Sequence, residues 1–377
     1  MLKILTLIGA RPQFIKAAAI SRAIKKSFSD KIEEVIVHSG QHYDANMSTV
    51  FFDELGLPKP NYTFELHAKG HSGQTAEILQ ELEIVLAKEK PNTLLVYGDT
   101  NTTLAGALAA SKNHIPLIHI EAGLRSFNKT MPEEINRIMT DHCSSLLFCP
   151  TSTAINNLQK EGVVHSTGRC SIDTPKVFAC GDIMYDNSLY FSDYSKENIL
   201  IENDLKKDAY LLFTMHRPSN TDEPKRLKNI CQMLIRLADK HQKVIAFPMH
   251  PRTKKALLTH LSVEDLEAFV QHNFIKIMEP ASFTDMIALE KNCELVITDS
   301  GGVQKEAYFF EKPCLILRSE TEWVEIVEQG AAIVIDANEE KLNSSFILFQ
   351  SKSLTFPPLF GDGKSAEFIC KKIVEEI

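Results

Sequence analysis

Residues Tyr97 to Arg137 read YGDTNTTLAGALAASKNHIPLIHIEAGLRSFNKTMPEEINR, and this stretch decides the fold. The apolar run Thr93 to Tyr97 stops at Gly98-Asp99, a helical segment follows, and a second run, Pro116 to Ile120, stops at Glu121-Ala122-Gly123. Two strands of the fully buried type with a helix between them form a right-handed βαβ crossover, which makes the strands parallel. Asp99 and Glu121 then stand just past the carboxyl ends of their strands, where open α/β sheets hold ligands. Pro132-Glu133-Glu134 opens the next helix and adds two more carboxylates. One acid in such a place can simply be solvated or cap a helix dipole. Three at successive element ends point to a site.

The same rhythm runs outward in both directions. Leu2 to Ile8 is an apolar strand, and Gly9-Ala10-Arg11-Pro12 turns into a helix through Phe14, Ile15, Ala18, Ala19, Ile20, Ala23 and Ile24, with Pro12 suited to its first turn. Arg11 and Lys16 therefore sit near a helix N-terminus, where free N–H groups and the dipole favour an anion. Glu34 to His38 is the next strand, ending in Ser39-Gly40-Gln41-His42, and a helix with Met47, Val50, Phe51 and Leu55 follows. Lys69 to Gln74 reads as a loop before a further helix. Ser145 to Cys149 is a strand followed by the capping turn Thr151-Ser152-Thr153, and Val177 to Cys180 is another strand, ending at Gly181-Asp182.

After a charged stretch around Asp193 to Asp208, a second series begins. Tyr210 to Met215 is a strand ending in His216-Arg217-Pro218, and Lys243 to Phe247 leads to His250-Pro251-Arg252. Glu294 to Thr298 ends in Asp299-Ser300-Gly301-Gly302, with Gln304 to Phe310 helical. Pro313 to Leu317 turns out through Arg318. Ser300, Gly301 and Gly302 put bare backbone N–H groups at a helix start, which suits a diphosphate. Glu306, one turn along, is placed to hold ribose hydroxyls. A histidine at each of two strand ends, His216 and His250, adds polar groups to the same edge. The fold class is α/β, with two Rossmann-like doubly wound domains facing a central cleft: residues 1–180, then 181–364, with an amphipathic helix at 365–377 packing back on the first.

The totals narrow the function. A chain of 377 residues is too long for one ordinary core. A formal charge of −8 argues against non-specific nucleic-acid binding but leaves room for a small anion held by a local cluster of donors. No apolar run reaches the length of a membrane span and no n-region, h-region and cleavage pattern opens the chain, so no leader and no membrane anchor are expected. Eight cysteines without a C-x-x-C, several inside apolar runs, suit reduced core thiols in a cytoplasmic protein and argue against zinc.

Taken in order, G-A-R-P-Q-F-I-K, S-G-Q-H, G-D-T-N-T-T, H-I-E-A-G-L-R, P-E-E-I-N-R, M-H-R and D-S-G-G-V-Q-K-E resemble the UDP-N-acetylglucosamine 2-epimerase family, of glycosyltransferase-B type, along nearly the whole chain. The resemblance implies an enzyme that binds UDP on the C-terminal half and holds the sugar against the N-terminal half. Asp99, Glu121, Glu133 and His216 match the family's catalytic positions. Arg11, Lys16, Ser300, Gly301, Gly302 and Glu306 match its nucleotide contacts, with His250 and Arg318 as additions. The expected partner is a UDP-sugar, with no nucleic acid, no membrane, no metal and no other cofactor; a homodimer is expected.

The chemistry explains the acids. A C2 hydrogen on an acetamido sugar is hardly acidic until the C1–O bond to UDP breaks, so two acid/base groups on opposite faces and stabilisation of the departing diphosphate are needed. Which carboxylate serves which face stays open. Ala10-Arg11-Pro12-Gln13 differs from the T-R-A-D-type loop of hydrolysing members and favours the reversible branch. Tyr43-Asp44 after Gln41-His42 departs from members activated by their own substrate. Glu322-Trp323-Val324-Glu325, in place of E-R-P-E, resembles the subgroup acting on UDP-linked 2,3-diacetamido glucuronate, while UDP-N-acetylglucosamine is the leading substrate. A glycosyltransferase of the same architecture and a silent UDP-sugar sensor are the rival readings; a sensor has no reason to keep the acids.

Overall fold

The computed structural model describes residues 1–41, 52, 55–193 and 198–377. The chain divides into two compact units, Met1–Asn187 with Pro358–Ile377, and Ser188–Pro357. Of the expected helix after Gln41-His42, residues Met47, Val50 and Phe51 lie outside the described residues, as do His42 and the Tyr43-Asp44 pair.

The first unit is built on a sheet of seven strands: β1 (Leu2–Ile8), β2 (Ile32–His38), β3 (Tyr62–Thr63), β4 (Thr93–Tyr97), β5 (Leu117–Ile120), β6 (Leu146–Cys149) and β7 (Lys176–Ala179). Their order is β3-β2-β1-β4-β5-β6-β7, all parallel, with Leu94 opposite Leu117 and Tyr97 opposite Ile120. Helices cover both faces, which is why β1 and β4 read as unbroken apolar runs instead of alternating ones. Leu5, Leu7, Leu94 and Val96 lie in one core with Ile78 and Leu82 of the His71–Glu89 helix and Ala105 and Ala109 of the Asn101–Lys112 helix. The final helix, Ser365–Glu376, buries Ile369, Cys370 and Ile373; its first N–H groups, on Ser365 and Ala366, donate to Asp186 at 3.0 and 2.7 Å.

The second unit repeats the plan with β8 (Tyr210–Thr214), β9 (Val244–Pro248), β10 (Ile275–Met278), β11 (Leu295–Thr298), β12 (Cys314–Ile316) and β13 (Ala332–Val334), in the parallel order β10-β9-β8-β11-β12-β13. Its core joins Leu211, Phe213, Ile245, Phe247, Leu295 and Ile297 to Ile230, Leu234 and Leu237 of the Pro224–His241 helix. In each sheet the strand order reverses once, between β1 and β4 and between β8 and β11. Such a switch point opens a crevice at the carboxyl ends of the strands.

One expectation is corrected. The loop read over Lys69 to Gln74 ends at Gly70, because the helix already starts at His71. Two glycines in that stretch look like helix breakers, yet a glycine in the first turn gives up no internal N–H bond. Asn101 then reaches across to Gln74 at 2.9 Å and to the His71 ring at 3.2 Å and holds the turn. The short strands β3 and β13, and the helices Pro251–His260, Val263–Val270, Phe283–Asn292 and Glu339–Ser351, add to what the sequence pattern indicates.

Gly106 shows how closely the helical layer approaches the sheet, since a β-carbon there would lie 2.8 Å from Leu7 Cδ2 and 2.8 Å from Val96 Cγ1. Alanine favours a helix interior by about 1 kcal/mol over glycine, but overpacking costs about 1–3 kcal/mol. Gly106→Ala is therefore expected to destabilise the protein by ~1 kcal/mol net, measured as a lower guanidinium midpoint.

Candidate active site

At the first switch point the turns after β1 and β4 are stitched by one side chain. Gln13, 1% exposed, accepts the N–H groups of Gly9 and Ala10 at 2.8 and 3.0 Å. Its amide nitrogen donates to the Tyr97 carbonyl at 2.9 Å and to the hydroxyls of Thr100 and Thr103 at 3.0 Å each. The stitch sets Lys16, one turn along the Arg11–Ala23 helix, against the ends of β4 and β5. There its buried ammonium pairs with Glu121. Glu121 carries φ +74, a left-handed conformation that costs a non-glycine residue about 1–2 kcal/mol. Gly98, with φ +63, leaves room for the pair: a β-carbon there would lie 3.2 Å from Glu121 Oε2 and 3.5 Å from Lys16 Nζ.

Asp99 follows Gly98 directly, and its carboxylate pairs with Arg137. Arg137 also donates to Glu134 at 2.7 Å, and Asn136 donates to the Asp99 carbonyl at 2.9 Å. The helix that begins at Pro132 is thus tied to the Asp99 turn. Its two acids have different surroundings. Glu134 is buried and accepts the N–H groups of Ser126 and Phe127 at 2.9 Å each. Burial opposes its charge, yet the Ser126 N–H and Arg137 hold it below the ordinary carboxylate range. Glu133 is exposed at the helix start, as is Arg11 at the start of its own helix.

The second switch point has its own stitch. Asp299, fully buried, accepts the N–H of His216 at 3.1 Å, that of Arg217 at 3.0 Å and the Asn220 amide at 3.0 Å, so the turn after β8 hangs on the residue after β11. Within this unit the rings of His216 and His250 are 5.4 Å apart. Ser300 caps the Gly301–Phe309 helix, whose first turn carries no acid. A β-carbon at Gly301 would meet Glu322 Oε1 at 2.6 Å, and Glu322 is itself paired with Arg318 at 2.6 Å and Arg217 at 3.8 Å. Glu306 faces Gly302 from one turn along, its Oε2 3.9 Å from where a β-carbon would be. Beneath lies Glu290, whose carboxyl is pushed well above its ordinary value by burial and then by the neighbouring Glu306.

Within the first unit the fold therefore joins Lys16 to Glu121 beside Asp99, with Arg11 and Glu133 at neighbouring helix starts. Within the second it gathers His216, His250, Ser300, Gly301, Gly302, Glu306 and Arg318 on the carboxyl edge of the sheet. Sequence reasoning does not single out Gln13, Arg137, Asp299 or Glu290. Asp299 carries one usable signal, as a polar residue directly after a buried strand, and Gln13 another, as a polar residue in the first turn of the helix that follows β1; Glu290 gives no such signal. Among the described residues no cluster of His, Cys, Asp and Glu could hold a metal ion, and no helix is long and apolar enough to cross a membrane.

Two parallel, helix-covered sheets of this order belong to the glycosyltransferase-B fold class. Within that class the chain belongs to the UDP-N-acetylglucosamine 2-epimerase family, whose model matches residues 24–374. It is 45% identical to a UDP-N-acetylglucosamine 2-epimerase homolog of Methanococcus maripaludis, over 99% of each chain. It is 44% identical to the UDP-2,3-diacetamido-2,3-dideoxy-D-glucuronate 2-epimerase of Pseudomonas aeruginosa, over 99% of this chain and 100% of that one. A crystal structure of the Methanocaldococcus jannaschii UDP-GlcNAc 2-epimerase in complex with UDP-GlcNAc and UDP is similar at a TM-score of 0.85 and 42% identity, over 99% of this chain and 100% of that one.

Burial lowers the pKa of His216, the Asp299 charge partly restores it, and Arg217 and Arg252 lower it again. The folded state consequently binds fewer protons than the unfolded chain just below the ordinary histidine range, and this group's contribution to stability falls as pH drops through that window. Ring titration by NMR is expected to place His216 below the ordinary imidazole range, and Asp299→Asn, which removes the charge that raises it, is expected to lower it further.

Proposed function

We propose that the protein is a non-hydrolysing UDP-amino-sugar 2-epimerase, an isomerase that interconverts UDP-N-acetylglucosamine and UDP-N-acetylmannosamine. The observation that carries the reading is the pairing of Glu121 with Lys16 beside Asp99 at a strand-end switch point, in a chain of this family.

The route starts with cleavage of the C1–O bond, with UDP as leaving group. C1 becomes cation-like and the C2 hydrogen acidic, so a carboxylate removes that proton and leaves 2-acetamidoglucal and UDP. A second acid returns a proton to C2 from the opposite face, and the UDP oxygen adds back to C1. Asp99, Glu121 and Glu133 are the acid/base candidates. His216, Arg11 and the Ser300 helix start meet the charge on the leaving diphosphate, Gly301 and Gly302 let it approach, and Glu306 takes the ribose hydroxyls. Lys16 balances the charge of Glu121, and His250 and Arg318 border the nucleotide. In this scheme the first unit, about residues 1–180 with the helix 365–377, serves the sugar, and residues 181–364 serve UDP. No metal or nicotinamide is called for by these steps. A cytoplasmic homodimer fits the reading.

UDP-2,3-diacetamido-2,3-dideoxyglucuronate is the second reading for the substrate. Trp323, where E-R-P-E has arginine, is 4% exposed and lies under the Lys305 ammonium, 4.3 Å from the ring centroid, beside the helix start. The Pseudomonas aeruginosa relative that bears this substrate's name is nearly as similar as the first.

Incubation with each UDP-sugar in heavy water tests the assignment. Deuterium is expected at C2 of both epimers with the UDP-sugar retained; free sugar and UDP would mean hydrolysis, and no exchange would leave transfer or binding. Asp99→Asn and Glu121→Gln are each expected to cut C2 exchange by about 100-fold or more while UDP binding survives.

A further inference from the structure

His119, on β5, plays no role in the steps above, and its side chain is fully buried. Its Nε2 lies 2.8 Å from the Gly98 carbonyl oxygen and its Nδ1 2.7 Å from Asp141 Oδ1. A carbonyl only accepts, so Nε2 carries a proton. Asp141 stays ionised: burial opposes the charge, but His119 and Arg125 hold the carboxyl below its ordinary range. The other oxygen of Asp141 takes N–H bonds from Arg125 at 2.7 Å and Gly123 at 3.1 Å. The Nδ1 contact to Asp141 is a second short hydrogen bond, so the ring is held at both ends. Arg125 in turn forks onto Glu161 at 2.8 and 2.6 Å. A hydrogen-bonded row thus runs through Glu161, Arg125, Asp141 and His119 and ends on one neutral acceptor, the carbonyl of Gly98.

That carbonyl belongs to the peptide that joins Gly98 to Asp99. On one side the Gly98 N–H donates to Ile120, the residue before Glu121, at 3.0 Å. On the other, a β-carbon at Gly98 would lie 3.2 Å from the Glu121 carboxylate. Glycine at positive φ restrains its own peptide plane poorly. We propose that His119, held by Asp141 and Arg125, is a positioning residue that fixes the Gly98–Asp99 peptide and, through it, the spacing of the Asp99 and Glu121 carboxylates. The proposal rests on the reading that these acids exchange the C2 hydrogen. The groups around the ring are Asp141 from the Pro132–Cys143 helix, Arg125 and Glu161 behind it, Cys149 of β6 near Asp141, and Glu121 with Lys16 beyond Gly98.

The test uses the full-length chain in three ways. With ring-15N histidine in the unaltered protein, the His119 Nε2 is expected to carry a proton hydrogen-bonded to a carbonyl; an unprotonated Nε2 overturns the proposal. His119→Gln and Asp141→Asn are then assayed for C2 exchange with UDP-N-acetylglucosamine in heavy water, alongside UDP binding. A misplacement of catalytic groups by about 1 Å can cost about 100-fold, so kcat is expected to fall by about that factor. KM and the UDP Kd should stay within about twofold of the unaltered protein. Unchanged kcat in folded His119→Gln, or a loss confined to UDP affinity, overturns the proposal. Should His119→Gln fail to fold, Asp141→Asn and the ring spectrum decide it. Glu121→Gln separates the two readings: retained exchange there sinks the acid assignment itself. Exchange lost there but normal in His119→Gln sinks only the positioning role.

Discussion

A parallel sheet that reverses its strand order must splay a pair of neighbouring turns at the carboxyl ends of its strands, and each sheet here closes that gap with one buried polar side chain. Gln13 spans the turns after β1 and β4 with two accepted hydrogen bonds and an amide NH2 whose two hydrogens are shared among three acceptors. Asp299 spans the turns after β8 and β11 with N–H bonds from His216, Arg217 and Asn220. Buried amides and carboxylates are costly when left unsatisfied, so each stitch is stable only while both turns keep their places. The candidate groups stand on those turns. Lys16 and Glu121 meet because Gln13 sets the first helix, and His216 is oriented because its own N–H is taken by Asp299.

The two stitches differ in charge, and this suits different tasks. Neutral Gln13 leaves the field at the first switch point to the Lys16–Glu121 pair and to the hydrogen-bonded row that ends at His119. Asp299 brings a buried negative charge beneath a helix start and two histidines, where it opposes the lowering of the His216 pKa by burial. An acid/base site gains from carboxylates whose partners are cationic. A diphosphate site gains from N–H groups and cations that have no competing acid in the first helical turn, as at Gly301. Glu322, against Gly301, is the exception, and its charge is taken up by Arg318 and Arg217.

Much of this is legible in one dimension. Continuous apolar runs that stop at Gly-Asp, Glu-Ala-Gly or Asp-Ser-Gly-Gly specify buried parallel strands and put polar groups at one edge, because strand burial and crossover handedness are local consequences of pattern. Hence β4, β5, β8 and β11 fall within one or two residues of their expected bounds, and the ordered motifs identify the family. The His71 helix starts earlier than the pattern places it, since Gly70 and Gly73 weaken a local signal that Asn101 restores from another helix.

The sequence by itself determined the fold class, the edge of each sheet that carries the candidate groups, and the identity of the candidate acids, because these follow from period, punctuation and residue type. Only the tertiary structure decided which charges pair. That Lys16 takes Glu121, that Arg137 takes Asp99, and that His119 donates to Gly98 depend on groups 105, 38 and 21 residues apart being brought within hydrogen-bond reach. Electrostatic pairing is a function of distance and burial in space, and neither is written in the spacing along the chain.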